Sequence, residues 1–179
     1  MSNKTITLFI IRDLKKWLVS MYDKPYYMEK SWNNFNEFLK TKHKSCINSK
    51  YYDKDLRNAF NNKVINNLDN DKDIFEIRYK KLKSYFEYTQ TNKNCVFVKL
   101  EYIQNKNNCE IFLKALNKKY ELNLNEDNLT TEIPYHCVNM TCEKTVPTHS
   151  ITNEDLVIIE QNKNDEIEEW VDNLTFEMI

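Results

Sequence analysis

The sequence predicts an α/β protein, helix-rich, with a parallel sheet flanked by helices. Three observations carry that expectation. A continuous apolar run over residues 5–11 gives way to helical periodicity over 14–23. A long periodic stretch at about 73–92 leads into a second short apolar run, Cys95-Val96-Phe97-Val98. Periodicity then resumes at 107–120. Strand to helix, then helix to strand to helix, is the order of parallel crossover units.

Each element has its own grounds. The first run, TITLFII, shows no polar alternation, which is the mark of a strand buried on both faces. After Arg12-Asp13, the residues Leu14, Trp17, Leu18 and Met21 fall on one helical stripe. Trp17 stands mid-stripe and is expected to be buried, and Pro25 ends the helix. An aromatic loop, 24–30, precedes a helix near 31–41 carried by Trp32, Phe35, Phe38 and Leu39. Residues 42–54 show no period and read as a basic loop or lid, with His43 an exposed loop histidine. The segment around Leu56, Phe60, Val64 and Ile65 is weakly apolar. Phe75, Tyr79, Leu82 and Phe86 mark the long helix, and Cys109, Phe112, Leu113, Leu116 and Tyr120 mark the next. Residues 121–150, with Pro134 and Pro147, read as irregular. Thr152 to Asp155 has the form of a capping box. Ile167, Trp170, Val171 and Leu174 give a closing amphipathic helix. There is no repeat and no linker-like stretch, so one domain over 1–179 is expected.

Arg12 stands where a buried strand gives way to a helix, the rim at which open α/β sheets bind ligands. Ser20 lies on the following helix, off its apolar stripe. An arginine and a hydroxyl converging there suit an anion such as a phosphate. An arginine capping a sheet edge beside a solvent-facing serine is the plainer alternative.

The stretch LFIIRDLKKWLVSMYDKPYY resembles the 3′-phosphate-binding segment of the sulfotransferases, which transfer a sulfo group from 3′-phosphoadenosine 5′-phosphosulfate (PAPS). In that family a buried strand ends in Arg, then Asn or Asp, then Pro, and a Ser follows eight residues after the Arg. Arg12, Asp13 and Ser20 match, and Leu14 stands in place of the Pro. A second segment, DIFEIRYKKLKSYFEYTQTNKNCVFVK and on through LEYIQNKNNCEIFLKAL, is similar to the family's helix leading to a strand with a Tyr-Glu-Asp-Leu-like end. Glu101 and Ile103 match that motif. Leu100, Tyr102 and Lys99 replace its Tyr, its Asp and the Arg that often precedes it. The resemblance spans roughly residues 5–175. It implies a partial P-loop NTPase-like sulfotransferase fold, PAPS or its product adenosine 3′,5′-bisphosphate (PAP) as ligand, and Arg12 and Ser20 as its 3′-phosphate contacts.

Composition limits the chemistry. Of 179 residues, none is glycine. A loop that brings backbone N–H groups onto phosphate oxygens uses glycine for the close approach, so no Gly-rich phosphate loop is encoded here. In the resembling family a Lys/Gly/Thr loop and a His or Glu base precede the Arg corner, and this chain begins at the strand carrying that corner. The catalytic residues are therefore unassigned. His43 is a base only in principle. Three readings follow: a truncated sulfotransferase inactive alone, one half of a split enzyme completed by an N-terminal polypeptide or another copy, or a non-enzymatic interaction module.

The formal net charge of −1 hides an asymmetry. Residues 121–179 hold two basic residues, Lys144 and Lys163, against 14 acidic ones, so the first 120 residues are strongly basic. The acidic region is expected to pack on the basic body. A basic body suits an anionic, nucleotide-type small molecule, and a merely solvated charged surface accounts for the same drift. No nucleic acid or membrane is expected as partner. The five cysteines, Cys46, Cys95, Cys109, Cys137 and Cys142, form an odd set without a secretory signal or a long apolar span. Reduced thiols in the cytoplasm are the expectation. His136, Cys137, Cys142 and His149 lack the spacing of paired zinc knuckles, and no metal is expected.

Overall fold

The computed structural model describes residues 5–25, 31–43, 72–123 and 149–179. Among these, 62 % are helical. The described elements are β1 (Thr7–Ile11), α1 (Leu14–Asp23), α2 (Phe35–Lys40), α3 (Ile74–Thr91), β2 (Cys95–Lys99), α4 (Leu100–Ile103), α5 (Lys106–Tyr120), α6 (Asn153–Asn162), α7 (Asp165–Asn173) and β3 (Phe176–Met178). The expectations for residues 44–71 and 124–148 lie outside the described residues. So do Cys46, His136, Cys137 and Cys142.

The chain gathers into two compact units. The first takes residues 1–13, 85–146 and 168–179, and the second 14–84 and 147–167. Helix α3 contributes to the second unit through Ser84 and to the first from Tyr85, and α7 changes unit at Glu168.

The first unit is built on a three-stranded sheet in the order β1-β2-β3. Strands β1 and β2 are parallel, with Phe9 opposite Phe97 and Ile11 opposite Lys99. The sheet is nonetheless mixed, because β3 runs antiparallel to β2 with Glu177 opposite Phe97. Side chains alternate across a sheet, so Phe9, Phe97 and Glu177 share one face. There Phe9 stacks on Phe97 at 5.1 Å and on Tyr85 of α3 at 4.6 Å. Phe86 and Trp170 close the group, 4.7 Å apart, and both meet Phe97. Aromatic pairs at such distances each add about 0.5–1.5 kcal/mol beyond the area they bury. On the other face Val96 and Val98 pack with Phe112, Leu116 and Tyr120 of α5.

Strand β2 is buried on both faces, as its CVFV run predicts. Strand β1 corrects the expectation. Leu8 and Ile10 are 46 % and 55 % exposed, and Ile11 is the one buried residue of the strand. Among the described residues β1 is the end of the sheet, so the apolar run has a partner strand on one side.

Helix α5 starts at Asn105, whose side chain accepts from the Asn108 N–H at 3.2 Å. It ends at Glu121, which takes left-handed angles (φ 50°, ψ 49°) so that its N–H reaches the Asn117 carbonyl. Asn123 follows at φ 54°.

The second unit is helical. Leu14, Leu18 and Val19 of α1 pack with Trp32, Phe35, Phe38, Leu39, Ile74, Phe75 and Ile159. Trp17 is half-buried, which corrects the expectation that it lies in the core. The buried face of α1 is centred on Leu18 and Val19 rather than on Trp17, and the Arg78 guanidinium lies 5.2 Å above the Trp17 ring. Helix α2 begins at Phe35 rather than near residue 31, because Asn34 caps it. The Asn34 side chain accepts from the Glu37 N–H at 2.9 Å, and Glu37 accepts from the Asn33 N–H at 2.8 Å. On α3 Asp73 and Glu76 form a reciprocal cap, each main-chain N–H donating to the other's side chain. The predicted box on α6 is present, with Thr152 and Asp155 bonded both ways.

Candidate functional site

The carboxyl ends of β1 and β2 lie side by side, since the strands are parallel and in register to Ile11 and Lys99. After Ile11 the chain passes through Arg12 and Asp13. After Lys99 it turns at once into the short helix α4, on which Glu101 sits. Glu101 binds the end of the other strand. Its Oε2 accepts from the Asp13 main-chain N–H at 3.1 Å, across 88 positions of sequence. Its Oε1 lies 3.5 Å from Arg12 Nε, an ion-pair separation, with the side chains 35 % and 15 % exposed. Arg12 therefore sits at the carboxyl rim of a parallel strand pair, oriented by a carboxylate on one side and open to solvent over a third of its surface. A planar guanidinium in that setting can take a two-oxygen anion through paired N–H donors. Lys99, next to this rim, spends its ammonium on the Asp172 carbonyl at 3.1 Å.

Ser20 belongs to the second unit and is described there. It lies half-buried on α1, and its carbonyl accepts from the Lys24 N–H at 3.0 Å. The structure thus brings Arg12 together with Glu101, and places Ser20 in a separate compact unit.

The described histidines are tied into packing. His43 is buried, which corrects its reading as an exposed loop residue: its ring lies against Trp32 and Phe38, and its N–H donates to the Lys72 carbonyl at 2.8 Å. His149 stacks on Phe35 at 4.3 Å and meets Asp155 Oδ2 through Nε2 at 3.2 Å. Burial pushes the Asp155 carboxyl up, but the bonds from Thr152 and His149 outweigh it and hold the group below the usual carboxylate range. The His149–Asp155 pair is the polar cluster that the sequence reading missed. The capping box marked Asp155, but nothing local showed that His149 would turn back onto it.

Packing shifts other groups as well. Burial raises the Cys95 thiol, which with Cys109 is free. Burial and then the neighbouring Arg78 charge lower Lys81. Among the described residues no group of three His, Cys, Asp or Glu side chains could hold a metal ion. Nor is any described helix long and apolar enough to cross a membrane. No family model, curated relative or solved structure matches the chain.

Proposed function

We propose that this chain is a sulfotransferase-like protein that binds the 3′-phosphate of PAPS or PAP through the Arg12 corner, and that it binds without transferring when alone. One observation carries this reading. The two segments that resemble the family, far apart in sequence, meet at a single point, where Glu101 holds both the Asp13 N–H and the Arg12 guanidinium. A generic αβα unit explains the periodicity of each segment, but it does not call for an arginine and a glutamate at that meeting point.

The fit to a phosphate is chemical. Arg12 offers a permanent cation and paired donors at a strand rim, partly exposed, in a chain whose first 120 residues are strongly basic. PAPS would supply the sulfo group. The residues here supply its anchorage: Arg12 by charge and hydrogen bond, and Glu101 by fixing the Arg12 side chain. Ser20 is assigned to the same phosphate by the resemblance alone, and its variant is tested separately.

Transfer needs more. The leaving oxygen must be stabilised, and loss of one such donor costs about 10²–10³ in rate. A missing general base removes about 10²–10⁴ more. With no glycine among its residues the chain encodes no Gly-rich phosphosulfate loop, so the expected turnover is nil. Completion by a second polypeptide remains the split-enzyme form of the same reading. The interaction-module reading has its own support in the exposed Leu8 and Ile10 of β1.

Calorimetry with PAP tests the proposal. One Arg–phosphate pair contributes about 2–4 kcal/mol, and with the contacts of the rest of the nucleotide the expected Kd is on the order of 0.1–1 mM. Arg12→Ala should weaken binding by roughly tenfold or more, and adenosine 5′-phosphate, which lacks the 3′-phosphate, should bind no better to wild type than PAP binds to the variant. Equal affinity of both proteins for PAP removes the assignment. Turnover of PAPS with phenol or sugar acceptors above background overturns the statement that the chain only binds.

A further inference from the structure

His43 holds two stretches of the second unit together. Its main-chain N–H donates to the Lys72 carbonyl at 2.8 Å, in an isolated antiparallel bridge just before the cap of α3. Its ring reaches back to α2, where Nε2 lies 3.1 Å from the Phe38 carbonyl oxygen. A carbonyl oxygen only accepts, so Nε2 carries the proton and donates. In the neutral ring Nδ1 is then a bare acceptor. That atom is buried and has no hydrogen-bond partner among the described residues, and the residue as a whole is 2 % exposed.

The surroundings are aromatic. The Trp32 ring stands edge-on to His43, with centroids 5.0 Å apart and planes at 87°. Phe38 lies 5.2 Å away on the other element. Trp32 Nε1 is buried and unpartnered as well, and as an N–H it is a donor only. Neither neighbouring ring can accept a hydrogen bond from Nδ1 through a lone pair. Asp73, which follows the bridge and caps α3, is the carboxylate whose charge reaches His43. Lys42 precedes His43 along the chain, and Lys72 is its partner in the bridge.

We propose that His43 is an acid-sensitive latch, in which a proton on Nδ1 loosens the segment 31–43 from Lys72 and the start of α3. The neutral ring fits: its one donor is used on the Phe38 carbonyl, and the rings of Trp32 and Phe38 lie against it. The protonated ring brings a second donor, for which Nδ1 meets no acceptor among the described residues, and a full charge that the Asp73 carboxylate offsets only in part. Buried groups in that position cost free energy unless paired. Burial accordingly lowers the His43 proton affinity, and the opposing pull of the Phe38 carbonyl and Asp73 does not restore it. The direction of the pH effect follows. In the unfolded chain the ring titrates near the ordinary value of 6.5, and in the fold it titrates lower. Below 6.5 the unfolded chain binds more protons, so the stability that the neutral ring contributes is complete above 6.5 and is lost as pH falls toward the folded value.

The test compares the full chain with His43→Gln in urea titrations from pH 8 to pH 5. Gln places an N–H donor at the Nε2 position and does not titrate. His149 and the carboxylates are common to both proteins, so their contributions cancel in the difference. Between pH 6.5 and 5 the unfolding constant of wild type should rise relative to the variant by up to tenfold per pH unit. Parallel curves overturn the latch. A ring-nitrogen NMR titration of wild type decides independently of whether the variant folds. The neutral Nε2–H ring persisting below pH 6.5 is the expected result, and a His43 ring that titrates at 6.5 or above overturns the proposal.

Discussion

Asp155 concentrates three hydrogen bonds on one oxygen of a buried carboxylate. Its Oδ2 accepts from the Thr152 N–H at 2.9 Å, from Thr152 Oγ1 at 2.8 Å and from His149 Nε2 at 3.2 Å. Asp155→Ala removes the acceptor for all three. Losing the reciprocal cap costs about 1 kcal/mol. Stranding the partly buried His149 nitrogen, together with the loss of charge-assisted bonds, adds about 2 kcal/mol. The expected total is about 3 kcal/mol. Thr152→Ala gives up the cap hydroxyl alone and should cost about 1 kcal/mol. With a urea slope of about 2 kcal/mol per molar, the midpoint should fall by about 1.5 M for Asp155→Ala and about 0.5 M for Thr152→Ala. The pH dependence supplies a second check. The Asp155 carboxyl titrates lower in the fold than its ordinary value of 3.8. Its contribution is therefore complete above that value and is lost as pH falls through the folded one. The gap between wild type and Asp155→Ala should narrow below about pH 4. An Asp155→Ala protein no less stable than Thr152→Ala, or a gap that widens on acidification, refutes the reasoning.

Two further outcomes follow from packing and charge. Phe97, buried between β1, α3 and Trp170, should cost about 3–5 kcal/mol on truncation to Ala, whereas Trp17, partly buried at the edge of the core, should cost about half as much; thermal or urea melts that rank them equally would place Trp17 back in the core. Glu101→Gln keeps an oxygen acceptor for the Asp13 N–H but removes the charge that holds Arg12, so PAP binding by calorimetry should weaken several-fold while stability drops by about 1 kcal/mol, and unchanged or tighter binding would show that Glu101 does not orient Arg12.

The parts of the fold that were legible in the sequence are those whose causes are local. The capping box at Thr152 and Asp155 needs four consecutive residues, and it is present. Helices α1, α3 and α5 lie close to the spans their apolar spacing marks. The start of α2 is local too, since Asn33 and Asn34 are capping residues, but the earlier Trp32 continued the spacing and drew the expected helix forward. What was not legible depends on partners. TITLFII and CVFV look alike as sequence, yet among the described residues β2 has a strand on each side and β1 on one, and a run of apolar residues does not say how many neighbours it has. Strand β3 is three residues long, too short to show a period. His43 follows a lysine and precedes another, so its composition spoke for solvent, while the bridge to Lys72 that buries it is formed by a residue far along the chain. The site divided in the same way. Arg12 and Glu101 were each marked by resemblance to a family segment, but their meeting rests on the parallel register of β1 and β2, which no local pattern encodes.

Glu121 shows what becomes of a helix end in a chain without glycine. The left-handed turn that closes α5 is ordinarily given to glycine, which adopts it without a steric cost. Here a residue with a full side chain occupies it, at a cost of roughly 1–2 kcal/mol, and Asn123, a residue more tolerant of that region, takes the second such position. The composition of the whole chain thereby reaches the backbone: with no glycine among 179 residues to take the turn, Glu121 carries its torsional strain at the end of α5, and Glu121→Gly would release it.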